Sequence, residues 1–191
     1  FAGVNLLRGN IGDVDNDGDL EIFVTSGISI YAFNHDGSQL DNWPQQTNSE
    51  FGLFEAPAVL SDLNGDNLLE IIVARFGKLF VFEYNGTQIY KNSFNIPGLT
   101  FGAAAVGDLD NNGKPDIVLG VTEETGGKIF AWELNTTLGT TNKGWPELQH
   151  DNQNTGCYDC NKPKAVCGNS IIQQRESCIY NSGICGQNTN N

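Results

Sequence analysis

The stretch DVDNDGDLE, Asp13 to Glu21, decides how the rest of the chain is read. Acids stand at Asp13, Asp15, Asp17, Asp19 and Glu21, Gly18 lies inside the turn, and the apolar run Ile22-Phe23-Val24 follows. Carboxylates this close repel one another unless a positive charge sits between them. Oxygen ligands at alternate positions around a tight glycine turn are what a hard cation such as Ca²⁺ requires. The pattern recurs twice. GDVDNDGDLEIFV begins at Gly12, SDLNGDNLLEIIV at Ser61 and GDLDNNGKPDIVL at Gly107. The first aspartates, Asp13, Asp62 and Asp108, are 49 and 46 residues apart.

Each loop is numbered here from its first aspartate. Positions 1, 3, 5 and 9 are Asp13, Asp15, Asp17 and Glu21, then Asp62, Asn64, Asp66 and Glu70, then Asp108, Asp110, Asn112 and Asp116. Position 7 is Asp19, Leu68 or Lys114, a free variation expected where only the backbone carbonyl faces an ion. Lys114 in particular is expected to point its side chain away. Position 6 is Gly18, Asn67 or Gly113, the residues that best accept a left-handed turn. An EF-hand would need Glu at position 12 and flanking helices. Position 12 is Val24, Val73 or Leu119, each in a strand-like run, so the EF-hand reading fails in all three repeats. The second loop has fewer charges, and the first is expected to bind Ca²⁺ most tightly.

The segments around the loops read as strands. Asn5-Leu6-Leu7, Ala56-Pro57-Ala58-Val59-Leu60 and Gly102-Ala103-Ala104-Ala105-Val106 precede them. An apolar strand, a glycine turn and a second apolar and aromatic strand follow each loop. The second strands are Ile28 to Phe33, Lys78 to Glu83 and Lys128 to Glu133. Such short runs rich in Val, Ile, Phe and Tyr, punctuated by Gly, Asn and Asp, are strand signals. Asn34-His35-Asp36-Gly37 and Tyr84-Asn85-Gly86-Thr87 carry hairpin chemistry. A weaker strand such as Gln88-Ile89-Tyr90 comes next, and the first and third repeats end in Trp43-Pro44 and Trp145-Pro146. No window keeps a helical period. About four strands per 45–50 residues, repeated, predicts an all-β chain of propeller blades. The small residues Ala103 to Ala105 suit crowded inner strands.

With these motifs in place, the chain resembles the FG-GAP/VCBS repeats of integrin-α-type β-propellers, with their DxDxDGxxD calcium loops. Phe51-Gly52 followed by Ala56-Pro57, and Phe101-Gly102-Ala103-Ala104, resemble the elements that name the family. The segment GWPELQHDNQNTG from Gly144 is similar to the closing portion of secreted microbial propellers. The resemblance covers residues 1–156, as three four-stranded blades of about 1–50, 51–97 and 98–156. It implies an extracellular, calcium-stabilised propeller with up to three Ca²⁺, used for adhesion or ligand binding. Propellers close with four to eight blades, and three are present. Either missing sequence or other chains complete the ring. The start at Phe1, inside a blade-opening strand, favours a longer chain.

Composition narrows the function further. The net charge of −13 argues against nucleic acid or an anionic membrane surface as partner. Eleven of the 23 acids lie in the loops, five in the first and three in each of the others, so the acidity is local to sites. No apolar run approaches the length of a membrane span, and no basic-then-apolar leader is read in this stretch. Cys157, Cys160, Cys167, Cys178 and Cys185 crowd into the tail, residues 157–191. A cysteine-free body with a cysteine-dense tail points to disulfides in an oxidising compartment, with one thiol left over. The alternative is zinc held by Cys157, Cys160 and Cys167 with His150. The run Cys167-Gly168-Asn169-Ser170-Ile171-Ile172 resembles the cysteine-rich repeats that trail secreted microbial surface proteins. Asn85-Gly-Thr and Asn135-Thr-Thr are glycosylation sequons.

Catalytic candidates are poor. The histidines are His35, in a hairpin turn and read as solvated, and His150, read as structural; there is no Gly-x-Ser-x-Gly elbow and no phosphate-cradling loop. Trp43 and Trp145 suit blade closure better than sugar stacking. The sequence reading is a non-enzymatic surface protein with a protein or glycan ligand. A structural subunit of an extracellular filament or sheath, self-assembling with other chains, is one alternative. A propeller polysaccharide lyase or hydrolase is the other, and the ten scattered basic residues disfavour it.

Overall fold

Arg8–Gly12 (β1) runs straight into the first acidic loop, and Glu21–Ser26 (β2) leaves it. The two pair antiparallel, from Arg8 opposite Thr25 to Gly12 opposite Glu21, so the loop is the turn of a hairpin. Arg8–Gly12 follows directly on the expected Asn5-Leu6-Leu7 stretch, and its register continues to the loop's own edge. The computed structural model describes residues 8–47, 54, 56–75, 77–91, 94, 96, 98–100 and 102–139. Asn5 to Leu7, Phe51-Gly52, Phe101, Trp145-Pro146, His150, the Gly144 segment and the cysteine tail lie outside the described residues.

Ser29–Phe33 (β3) returns beside β2, and Gln45–Gln46 (β4) adds an outer edge. The second repeat builds the same four-stranded sheet from Val59–Ser61 (β5), Glu70–Arg75 (β6), Lys78–Phe82 (β7) and Gln88–Ile89 (β8). In the third, Ala105–Gly107 (β9), Asp116–Glu123 (β10) and Gly126–Glu133 (β11) form three described strands of the expected four. All described elements are strands, paired antiparallel in meander order. Among the described residues the sheets form no closed barrel, as expected of part of a propeller. Val24, Val73 and Leu119, at position 12, pair within sheets with Tyr31, Phe80 and Phe130.

Alternation along the strands gives each sheet two apolar faces, and the core lies between sheets. Phe23, Ile30 and Ala32 of the first sheet pack against Leu60, Ile71, Val73 and Phe82 of the second. Val59, Ile72, Leu79 and Val81, on the second sheet's other face, pack against Ile117, Leu119 and Val121 of the third. Polar clasps join the joints. Thr25 Oγ1 donates to the Ala56 carbonyl at 3.0 Å, the Asn10 side-chain amide to the Ala58 carbonyl, and Phe54 N to the Gly27 carbonyl at 2.8 Å. Trp43 is buried between the first two sheets, edge-on to Phe23 at 5.4 Å and tilted against Phe82 at 5.9 Å. Its Nε1 donates to the Tyr84 carbonyl at 2.8 Å. Phe94 is buried against Trp132 at 5.5 Å in the second joint. Arg75 is buried with its guanidinium 5.0 Å from the centre of the Phe54 ring.

Candidate metal centres in the hairpin loops

All three loops leave an edge strand (β1, β5 or β9) and enter its neighbour (β2, β6 or β10) at position 9. The turn requires left-handed backbone at two places. Position 6 is left-handed as expected, with φ of 101° at Gly18, 69° at Asn67 and 82° at Gly113. Position 4 is left-handed as well, with φ of 62° at Asn16, 80° at Gly65 and 61° at Asn111. The signal for position 4 stood in the sequence, since Asn and Gly are the residues that adopt this conformation at least cost.

Position 9 has a role beyond offering an oxygen. The Glu21 carboxylate accepts a hydrogen bond from Val14 N at 3.0 Å, Glu70 from Leu63 N at 2.6 Å, and Asp116 from Leu109 N at 2.9 Å. In every repeat the position 9 carboxylate therefore holds the backbone of position 2 and closes the loop across its base. Glu21, Glu70 and Asp116 are buried. Burial, with the neighbouring loop aspartates adding to it, raises the Glu21 carboxyl to about 7 despite the opposing Val14 N–H bond. Burial likewise raises Glu70 to about 7, again against its backbone bond from Leu63.

Two groups of three carboxylates converge among the described residues. They are Asp13, Asp15 and Asp17 in the first loop and Asp108, Asp110 and Asp116 in the third, with one oxygen of each within 4.8 Å of the others. Hard acceptor oxygens at that spacing are a donor set a divalent cation fits. Position 7 points outward in both: Asp19 meets the His35 ring at 3.4 Å, and Lys114 Nζ pairs with Glu133 at 2.9 Å. His35, expected to be merely solvated, thus has a carboxylate neighbour. Asn112 turns its amide nitrogen to Glu133 at 2.5 Å, and its Oδ1 accepts from Lys114 N at 2.8 Å.

The second loop is built differently. Asn64 Nδ2 donates to Glu70 Oε1 at 3.1 Å, so an amide lies where the other loops have a carboxylate. Asp62 accepts from Gly65 N at 2.6 Å, Asn67 N at 2.9 Å and Asn64 N at 3.2 Å. Asp66 accepts from Leu68 N at 2.8 Å. A strap from the third repeat lies over this loop. Gly139 N donates to the Asp62 carbonyl at 3.0 Å and Thr136 Oγ1 to the Leu63 carbonyl at 2.6 Å. A Cβ at residue 139 would collide with the Asp62 carboxylate, which explains the glycine. Of the sequon residues, Asn135 is exposed in this strap, and Asn85 donates to Glu83 at 3.2 Å.

The raised glutamates set a pH dependence for the metal-free protein. Their folded-state values lie above the ordinary 4.5, so the folded chain binds protons more tightly than the unfolded chain between 4.5 and about 7. Their contribution is present below pH 4.5 and is lost as pH rises through about 7. In EDTA the melting temperature is expected to fall between pH 5 and pH 8. A higher melting temperature at pH 8 would contradict this placement of the two carboxyls.

Residues 62–119 match the FG-GAP-like repeat family. The match runs from the first aspartate of the second loop to β10 and so takes in two of the three loops. No curated protein matches the chain. The crystal structure of the V. cholerae biofilm matrix protein Bap1 is similar at 18% identity and a TM-score of 0.36, over 70% of this chain. The chain spans 30% of that structure's length.

Proposed function

We propose that this is an extracellular, calcium-stabilised repeat protein that binds a protein or glycan ligand at a cell surface and catalyses no reaction. The observation that carries the reading is the pair of carboxylate triads in the corresponding loops of the first and third repeats, at positions 1, 3 and 5 in one and 1, 3 and 9 in the other. Each triad uses side chains of one hairpin loop, so a bound Ca²⁺ rigidifies a turn between strands of one sheet. That is a structural task, and it leaves the rims and faces of the sheets for recognition. Calcium in the first and third loops is favoured over the second, whose Asn64 amide already answers Glu70.

A glycan array run with and without Ca²⁺, followed by a product assay on every bound glycan, tests the reading. Binding that is retained in Ca²⁺, weakened in EDTA and unaccompanied by cleavage is expected. Release of unsaturated or reducing-end products would overturn it in favour of a lyase or hydrolase.

A further inference from the structure

Neighbouring acidic loops are tied together, and the tie differs between the two joints. At the first joint Leu69, position 8 of the second loop, donates its N–H to the carbonyl of Val14, position 2 of the first, at 3.0 Å. Position 8 of the third loop is Pro115, which has no N–H to give. At the second joint the position 2 carbonyl, that of Leu63, accepts instead from Thr136 Oγ1 at 2.6 Å. A direct bond between loops is thus replaced by one from the segment that follows β11, and that segment reaches both loops.

Residues 133–139 hold four consecutive residues of the third loop. Glu133 accepts from the Asn112 amide nitrogen at 2.5 Å and pairs with Lys114 Nζ at 2.9 Å. Leu138 N donates to the Gly113 carbonyl and Leu134 N to the Pro115 carbonyl, both at 2.9 Å. The bonded carbonyls flank Lys114, position 7, whose own carbonyl is the one expected to face an ion. Asn112 is held by its nitrogen end, which leaves its oxygen to the loop, where it accepts from Lys114 N. The same segment holds the second loop. Gly139 N donates to the Asp62 carbonyl at 3.0 Å, and the Thr137 carbonyl lies 3.4 Å from where a Cβ on Gly65 would stand. Leu134 is buried in one cluster with Leu63 of the second loop and Ile117 of β10. Tyr90, just after β8 of the second sheet, hydrogen-bonds the Thr136 side chain.

We propose that residues 133–139 are a clasp that couples the third loop to the second, so that a third loop ordered around a divalent cation also fixes the second loop and the joint between the second and third sheets. The inference rests on the calcium reading above. Two features carry it. The clasp bonds to positions 5, 6, 7 and 8 of the third loop, between the carboxylates of Asp110 and Asp116. Clasp and cation therefore constrain the same stretch of backbone. The second loop, by contrast, has no carboxylate triad among the described residues, and its base is held through the Asp62 and Leu63 carbonyls that the clasp's donors reach. Coupling of this kind is reciprocal, so loosening the clasp weakens the cation's hold on the third loop.

Amide hydrogen exchange read by mass spectrometry on the full chain, in Ca²⁺ and in EDTA, tests this with the wild type, Asp110→Asn and Thr136→Val. In the wild type Ca²⁺ is expected to slow exchange in the first and third loops, in residues 133–139, and in the second loop by about 5-fold or more. Asp110→Asn is expected to abolish the slowing in the third loop, the clasp and the second loop together, while the first loop keeps its own. Thr136→Val keeps the side chain's shape and removes the bond to Leu63. It is expected to abolish the second loop's response and to raise the Ca²⁺ concentration that protects the third loop by about 5-fold or more. The first loop's response in each variant shows that the chain is folded and still takes the cation elsewhere. Slowing in the second loop that survives Asp110→Asn overturns the clasp. So does a third loop that responds while the clasp and the second loop do not, or a Thr136→Val chain that behaves as wild type; each leaves the calcium reading standing. No slowing in any loop overturns the calcium reading and the clasp with it.

Discussion

Trp43→Ala is expected to lower the unfolding free energy by about 3–5 kcal/mol, the range for removing a large buried aromatic side chain. Trp43 is 4% exposed and bridges the first two sheets, touching Phe23 on one and Phe82 on the other. Three losses combine. The lost transfer energy and the cavity dominate, because neither flanking strand can move inward without breaking its ladder. The two aromatic contacts add about 0.5–1.5 kcal/mol each. The Tyr84 carbonyl, which now accepts from Trp43 Nε1, would lose its donor at a cost of about 1–3 kcal/mol. These terms overlap, so the total stays within the cavity range. Trp43→Phe separates them. It keeps most of the burial and both ring contacts but removes the donor, so a loss of about 1–2 kcal/mol is expected. Urea denaturation of both variants provides the measurement. A loss below 1 kcal/mol for the alanine variant would mean that the joint between these sheets is not closed by Trp43.

Much of this arrangement was legible in the sequence, and the limits have physical causes. The loops were legible because a turn that brings oxygens together restricts both residue type and spacing. Gly18 and Gly113 announced the left-handed step at position 6, and the position 7 side chains of Asp19 and Lys114 point outward as their variability implied. The bond from position 9 to the backbone of position 2 was not legible, because its donor is a main-chain N–H that every residue has. The second loop shows a related limit. Asn64 at a ligand position reads as an oxygen donor, yet its oxygen accepts from Asp66 N and its amide nitrogen faces Glu70, and only the hydrogen-bond partners distinguish the two ends of a carboxamide. The fate of Leu109 was least legible of all. It is the same class of residue as Val14 and Leu63, and its exposure depends on what stacks against its sheet rather than on anything local.

The acidic loops carry the other large expected effect. Removing Ca²⁺ with EDTA at neutral pH is expected to lower the melting temperature by about 5–20 °C. At millimolar Ca²⁺, a site of sub-millimolar dissociation constant stabilises the folded chain by roughly 1–3 kcal/mol. For a chain of this size each kcal/mol moves the midpoint by about 2–4 °C. Two triads then account for the range, and the first loop, with its five acids, is expected to contribute most. Substitution tells bound cation from simple charge repulsion. Converting Asp13, Asp15 and Asp17 together to Asn keeps size and removes charge. In EDTA this variant should melt no lower than the wild type, since its mutual repulsion is gone, whereas in Ca²⁺ it should lose the larger share of the cation's effect. Asp66→Asn in the second loop should leave the calcium response nearly unchanged, because that loop is held by its own amides. An identical melting curve in EDTA and in Ca²⁺ would eliminate the cation from all three loops. The convergence of the two triads would then be a folded-state cost tolerated at the loop tips, where water screens the exposed Asp17 and Asp110.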